Sequence, residues 1–350
     1  MARLSTAGFE TGELNEFNGG YSSGFALVAA QTNYKRTGNY ALRISDQSGP
    51  AAYITHTFSA DHTELFFRFA MYMDSGATNN SRSLLTFYDN MNAAQLTIYY
   101  NTGTQSFDLY RGTSSGTLLA TGTVVVRANV WCVVQGRIVI NDSTGVVSVS
   151  INNTTALSYS GDTLATTVAG VRSFTFRGAN DVFTIGYVYI DDVAFNDTTG
   201  ANQATYPGLG GVFLLKPTAD GATTTWDTST GTVHYTLVDD VPANTTDWIQ
   251  ALTTGEIDLF EMEAAPTYVN TINLVEVLYS AAVTESGYNL LTDVLRYGTV
   301  NYTDGTSTVV GLVPGYVLYK GSPYYKRPDD GTSIWGTADV NALQAGVQIL

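Results

Sequence analysis

The stretch Gly255-Glu256-Ile257-Asp258-Leu259-Phe260-Glu261 gathers three carboxylates within one short segment, and closely set carboxylates are the groups of general acid and base work. On a regular strand Glu256 and Asp258 share a face and Glu261 points the other way, because five is an odd separation. One extra residue at Leu259-Phe260, a β-bulge, would bring Glu261 back to the side of the other two. The preferred reading is the blander one, a solvated strand on which Glu256, Asp258, Glu261 and Glu263 meet water while Ile257 and Leu259 pack. A second group, Tyr99, Tyr100 and Tyr110, offers aromatic platforms for stacking a sugar, with ordinary cross-strand packing as the alternative. The remaining chemistry is thin. His56, His62 and His234 are the only histidines and Cys132 the only cysteine, so no zinc-ligand spacing exists. Cys132 lies in the strand-like Trp131-Cys132-Val133-Val134 and reads as a buried, inert thiol. Gly208-Leu209-Gly210-Gly211 lacks the Lys-Ser/Thr of a phosphate loop, and no Gly-x-Ser-x-Gly elbow is present.

The elements that must position these groups are strands. Tyr40 to Ile44, Tyr53 to Phe58, Leu65 to Met73, Leu84 to Tyr88 and Leu96 to Tyr100 alternate apolar with polar residues between Gly, Asn, Asp or Ser, the pattern of an antiparallel sandwich. His56 and His62 flank an expected turn, Phe58-Ser59-Ala60-Asp61. Asp142-Ser143-Thr144-Gly145 reads as a hairpin turn that brings Ile138, Ile140, Val147 and Val149 to one face. The sequons Asn152-Asn153-Thr154, Asn244-Thr245-Thr246 and Asn301-Tyr302-Thr303 read as turns, and Ile185 to Phe195 as a closing strand. A polar, Gly-containing stretch then follows, giving an expected first domain at 1–198, a linker at 199–211 and a second β-sandwich at 212–350. In the second domain strands are expected at Val212 to Leu215, His234 to Val238, Ile257 to Met262, Thr271 to Tyr279, Val294 to Tyr297 and Gly315 to Tyr319. One helical turn is expected at Val340 to Gln344, with Asp339 as its cap.

Three resemblances add to this reading. GFETGELNEF, YKRTGNYALRIS, AYITHTF, LFFRFAMYM and YVYIDDVAFND together resemble the concanavalin A-like jelly roll of laminin-G-type, lectin and carbohydrate-binding modules. That likeness implies a structural calcium between Glu10 and Asp192, with Asp191 turned the other way, since a hard cation needs several oxygen ligands. The alternative is that Glu10 caps a turn and Asp192 pairs with Arg43 or with backbone amides. FLLKPTADGATTTWDTSTGTVHYTLVDD with IWGTADVNALQAGVQIL resembles a domain of uncharacterised tailed-phage virion proteins. GEIDLFE is similar to the catalytic strand of laminarinase-like glycoside hydrolases, which implies Glu256 as nucleophile, Asp258 as its tuner and Glu261 as acid/base, about 5 Å apart across the scissile bond. The residues after Glu261 depart from that family, and only Trp226, Trp248 and Trp335 are at hand to line a glucan groove.

Charge and hydropathy narrow the classes. With 16 Lys+Arg against 31 Asp+Glu and a net charge of −15, the chain repels phosphate backbones, so nucleic acid is not an expected ligand. No apolar run reaches the roughly 20 residues of a membrane-spanning helix, so no membrane insertion is expected. The opening MARLSTAGFETGELNEF lacks the apolar core of a signal peptide. The expectation is an all-β protein of two consecutive antiparallel sandwiches, the first a concanavalin A-like jelly roll. Its expected role is that of a non-enzymatic phage virion surface protein, in the capsid decoration, the tail or a fibre, assembled in the host cytoplasm and partnered by other virion proteins and by itself as a homo-oligomer. A carbohydrate-binding adhesin and the glucanase are the alternatives, and calcium is the one cofactor considered.

Overall fold

A computed structural model describes residues 3–22, 28–46, 51–180, 186–283, 290–303, 308–310 and 315–350. The chain divides into two compact units, Met1–Phe213 and Leu214–Leu350.

The first unit holds β1 (Arg3–Ala7), β2 (Val28–Gln31), β3 (Ala41–Ser45), β4 (Tyr53–His62), β5 (Glu64–Met73), β6 (Arg82–Tyr88), β7 (Ala94–Asn101), β8 (Ser106–Arg111), β9 (Thr117–Thr121), β10 (Cys132–Val139), β11 (Gly145–Ile151), β12 (Thr154–Gly161), β13 (Val171–Arg177) and β14 (Tyr187–Asn196). They form two antiparallel sheets. One runs β12-β11-β10-β5-β14-β3-β2 with β1 beside β14, and the other runs β4-β13-β6-β7-β8-β9. The inward faces of both sheets meet in one core rich in phenylalanine: Phe67 meets Phe87, Phe69 meets Phe176, and Phe174 stacks on Phe195 at 4.0 Å. Strict alternation selects those residues. In β11 every second residue is buried, and Val147 and Val149 join Ile138 and Ile140 in the core as expected.

The turns follow local chemistry. Asn152 and Asn153 both take positive φ between β11 and β12, the backbone of a type I′ hairpin turn and the reason Asn stands there twice. The expected turn after Phe58 is instead a bulge inside one long β4, where residues 58–61 are extra between the pairs His62–Val171 and Thr57–Ser173. His56 lies within the core aromatics, against Phe17, Phe58 and Phe174, and is not exposed. The closing strand begins at Tyr187, and Ile185 lies outside the described residues.

Segment 199–211, expected as a linker, packs on the first unit. Gln203 accepts from Arg3, the Asn196 amide donates to Thr205 O, Tyr206 meets Phe66, and Arg36 donates to the carbonyls of Leu209 and Gly210. Those contacts move the division of the chain from 198 to Phe213.

The second unit holds β15 (Pro217–Thr224), β16 (Asp227–Thr228), β17 (Ile249–Gln250), β18 (Ile257–Met262), β19 (Leu278–Ala281), β20 (Leu290–Tyr297), β21 (Val300–Tyr302), β22 (Thr308–Val309), β23 (Val317–Lys320) and β24 (Gln344–Ile349). The main sheet is β15-β18-β24-β20-β21, with β22 on β20, and β16-β17 and β19-β23 are two-stranded ribbons. Leu291 and Ile349 of the main sheet pack with Tyr279, Ala281 and Tyr319 of the β19-β23 ribbon, so two layers enclose a small core.

Several expected elements shift. Residues 212–215 form no strand, and His234–Val238 is a 3₁₀ turn over Tyr235–Leu237 because the Asp220 carboxylate accepts the amides of His234 and Tyr235. The helix is α1 (Thr337–Val340), one turn earlier than expected. Asp339 lies inside it and accepts the Gly336 amide, while Gln344 opens β24.

Candidate functional site

In the second unit β18 pairs with β24 residue for residue from Ile257 to Glu261, so the bulge that would turn Glu261 is absent. The irregularities sit across from it, on β15 between Pro217 and Ala219 and between Asp220 and Thr224. Each carboxylate has a local task. Glu256 accepts the amides of Leu252 and Thr253 in the turn before the strand, and Glu261 accepts from the Gln344 side chain at 2.6 Å. Asp258 is fully buried, a departure from the solvated strand, and accepts the amides of Thr225 and Trp226 while its second oxygen lies 2.6 Å from His234 Nδ1. The three do not converge on one point. Trp335 is buried with its indole N–H on Tyr324 O, Trp226 packs into the core, and Trp248 alone is exposed, so the tryptophans line no groove.

At the ends of the first unit Glu10 and Asp192 do come together, closed by donors. Asp192 takes a left-handed backbone, φ 55°, where the β14–β5 register shifts between Asp191 and Ala194. That bulge turns neighbouring carboxylates to one side, where a regular strand would oppose them. Asp191 accepts the amides of Arg36 and Thr37. Asp192 accepts the Arg36 guanidinium at 2.5 Å, the Thr37 hydroxyl and the Val212 amide. Glu10 accepts the amides of Asn39 and Tyr40 around Gly38, whose φ of 59° and contact with that carboxylate leave no room for a Cβ.

Burial pushes Glu10 up to about 7 against the pull of those amides, helped by nearby Glu16 and Asp192. Burial also raises Asp191, with Asp192 adding to the rise. A calcium ion wants a shell of oxygens, whereas these carboxylates face N–H groups and a guanidinium, so the expected ion does not fit this arrangement. Among the described residues no group of three or more His, Cys, Asp or Glu side chains is placed to hold a metal. Asp192 pairs with Arg36, and Arg43 lies instead over the Tyr187 ring.

The side of the six-stranded sheet turned away from the core carries a polar row in which Thr175, Thr86 and Thr97 are buried. Register aligns Thr55, Thr175, Thr86, Thr97 and Tyr110 in one row across β4, β13, β6, β7 and β8. Thr55 and Thr175 hydroxyls lie 2.8 Å apart, Thr86 and Thr97 3.3 Å apart, and Thr97 donates to Gly112 O. The neighbouring row puts Tyr99 opposite Asp108, and the Tyr99 and Tyr110 rings meet edge to face at 5.7 Å. Arg177 lies over Tyr53 at the far end of the face.

Asp108 is buried. One of its oxygens accepts the Asn101 amide at 2.7 Å, and the other has no hydrogen-bond partner among the described residues. Its charge and the Tyr99 ring join burial, the leading cause, in raising the Tyr110 phenol. Tyr100 does not share this face. It fills the core, fully buried, with its hydroxyl donating to Thr78 O. Asp108 escaped the sequence reading because one acid in an alternating strand carries no local signal.

An endo-β-1,4-glucuronan lyase from the fungus Trichoderma reesei is similar in structure with a TM-score of 0.44 and 16% identity, over 53% of this chain and 93% of the lyase. A carbohydrate esterase from the Shiga toxin-encoding bacteriophage phi24B has a TM-score of 0.41 and 14% identity over 55% of this chain and 97% of its own. The carbohydrate-binding module CBM66 from Bacillus subtilis has a TM-score of 0.33 and 8% identity over 51% of this chain and 92% of the module. No family and no curated protein matches the chain in sequence. The likeness is one of fold. It corrects the expectation of a non-enzyme, because lyases and an esterase stand among the solved structures of similar fold. The physical reason is that a site assembled from single residues on several strands leaves no contiguous motif, so a sequence without a signature says nothing against catalysis.

Proposed function

We propose that the first unit engages a glycan on the outer face of its six-stranded sheet, at Tyr99, Tyr110 and Asp108. The observation that carries this reading is the buried Asp108 oxygen without a partner, set beside two tyrosine rings. A buried acceptor left open costs about 1–3 kcal/mol, more when charged; a side-chain shift that brings it to the surface would let a sugar hydroxyl donate to it and recover that cost while the rings cover the sugar's C–H face. The Tyr99 and Tyr110 hydroxyls supply further donors and acceptors, and the buried Thr175, Thr86 and Thr97 hydroxyls form the layer beneath. A processing role would use the same groups, since a carboxylate and two phenols can take and give protons.

The proposal extends to the setting. The phage-like pattern of residues 206–350 and the acidic, Thr-, Asn- and Gly-rich composition support display on a virion surface, with other virion proteins and further copies of the chain as partners. The exposed edge strand β9 is open to such pairing.

Affinity electrophoresis through gels holding β-glucan, mannan or polyuronate tests the site. Retardation by at least one polymer is expected, weakened in Tyr99→Ala, Tyr110→Ala and Asp108→Ala, with release of reducing or unsaturated ends measured alongside. Equal mobility of all variants in every gel sinks the proposal. Imaging of intact particles with an antibody to the chain tests the setting.

A further inference from the structure

On the opposite, eight-stranded sheet, the register across β5, β14 and β3 places Tyr72, Tyr189 and Arg43 in one row on the outer face. Tyr34, from the turn between β2 and β3, covers this row, with its ring 5.1 Å from Tyr72 and 4.9 Å from Tyr189. Trp131, at the entry to β10, meets Tyr72 at 5.7 Å, and Tyr187 lies 6.3 Å from Tyr189 beneath the Arg43 guanidinium.

The turn is held in place before any ligand arrives. The Gln31 side chain accepts the amides of Asn33 and Tyr34 and donates to Tyr34 O. Tyr72 donates to the Asn129 side chain at 3.3 Å. Tyr34 remains 45% exposed, and Tyr72, Trp131 and Tyr187 are half-buried. Burial, its leading cause, pushes the Tyr189 phenol up to about 12, so it stays a neutral hydroxyl.

We infer that this platform is a second glycan site, independent of Tyr99 and Tyr110, that takes the hexopyranose units of a neutral saccharide chain. Tyr34, Tyr72 and Trp131 present three adjoining rings, 5.1 and 5.7 Å apart, with Tyr189 buried beneath Tyr34 and the half-buried Tyr187 beyond it. Their polar tips and the side chains of Gln31, Asn129 and Arg43 stand at its margins. Rings of this kind cover the C–H face of a sugar while their rims bond its hydroxyls. Copies of the chain would pair through an edge such as β9, whereas β5, β14 and β3 are interior strands with no free edge, so this face offers ring faces and rims that suit a neutral glycan. Two glycan sites on opposite sheets would let one molecule bridge chains, raising avidity without new contacts.

The test is calorimetric titration of the full chain with cellohexaose, laminarihexaose and maltohexaose, with sedimentation equilibrium alongside. At least one hexasaccharide is expected to bind the Tyr99→Ala/Tyr110→Ala double variant. In that background Tyr34→Ala and Trp131→Ala should each weaken binding roughly 2- to 10-fold, and Tyr34→Phe should restore most of it. Tyr34 and Trp131 lie at the surface, and melting curves verify that these variants stay folded. Binding lost entirely with Tyr99 and Tyr110, and unmoved by Tyr34→Ala, overturns the second site and leaves the first standing. So does a wild-type chain that binds none of the three. A Tyr34→Ala change that alters the association state and not sugar binding assigns the platform to a second copy and equally overturns it.

Discussion

Side chain by side chain, the buried charges are the features with the sharpest consequences. Arg82 and Asp46 are both fully buried, 2.6 Å apart, and Asp46 also accepts from Asn80 and from the Ala179 amide. Removing one member leaves the other charged and unpaired in the core, so Arg82→Ala should cost about 3–5 kcal/mol in urea unfolding. A loss under about 1 kcal/mol would contradict the pairing. Cys132 is the converse case, an isolated thiol that burial pushes up to about 12. It should react with a thiol reagent only as fast as the chain opens, and stoichiometric labelling of the folded protein would show otherwise. The burial of Cys132 and the Asn152-Asn153 turn were legible in the sequence because each depends on its neighbours along the chain. Asp108 and the Asp46–Arg82 pair were not, since nothing local marks which distant residue a charge will meet.

The bulge in β14 decides how the end of the first sandwich responds to pH. Glu10, pushed up to about 7, and Asp191, also raised, both hold a proton more tightly folded than unfolded, where such carboxyls titrate near pH 4. Their contribution to stability is therefore complete below about pH 4 and is lost as pH rises through about 7. The melting temperature of the first unit should fall as pH rises from about 4 to about 8, and a rising profile there would contradict the assignment. Calcium or a chelator should leave that melting temperature unchanged, because Arg36 and backbone amides already occupy the carboxylates. A calcium-dependent increase would show that the arrangement rearranges around the ion.

Strands were legible wherever side chains alternate, as in Ile257–Met262, which matches β18 end to end. β24 was missed although it is central to its sheet. Its Gly346 lies where any Cβ would strike the Asp258 carbonyl, and a glycine required by that close approach reads in sequence as a strand breaker. GEIDLFE, read first as a solvated strand, resembles a catalytic strand by coincidence of spacing. Its acids serve a turn, a 3₁₀ segment and a cross-strand pair, three separate local tasks whose spacing coincides with that of a catalytic strand.

For the whole chain, the division at Phe213 and Leu214 predicts where it can be cut. A fragment ending at 213 should melt close to the first transition of the full chain. One ending at 198 loses the backing of Arg3, Arg36 and Asp192 by Gln203, Gly210 and Val212, and should melt several degrees lower, at roughly 2–4 °C per kcal/mol. Equal melting of the two fragments would return residues 199–211 to the status of a linker. The two-domain, all-β plan was legible because turn residues punctuate the whole chain. The faces that matter were not, because they arise from register between strands far apart in sequence. The proposed glycan site lies on one such face, and the threonine row Thr55, Thr175, Thr86 and Thr97 lies along its floor. Methyl NMR of threonine-labelled protein, titrated with neutral and acidic oligosaccharides, reads that floor directly. Saturable shifts of Thr86 and Thr97 with at least one saccharide are expected, abolished in Asp108→Ala. Threonine signals on that row that stay still while binding is measured elsewhere on the chain, or with every saccharide tried, would contradict it.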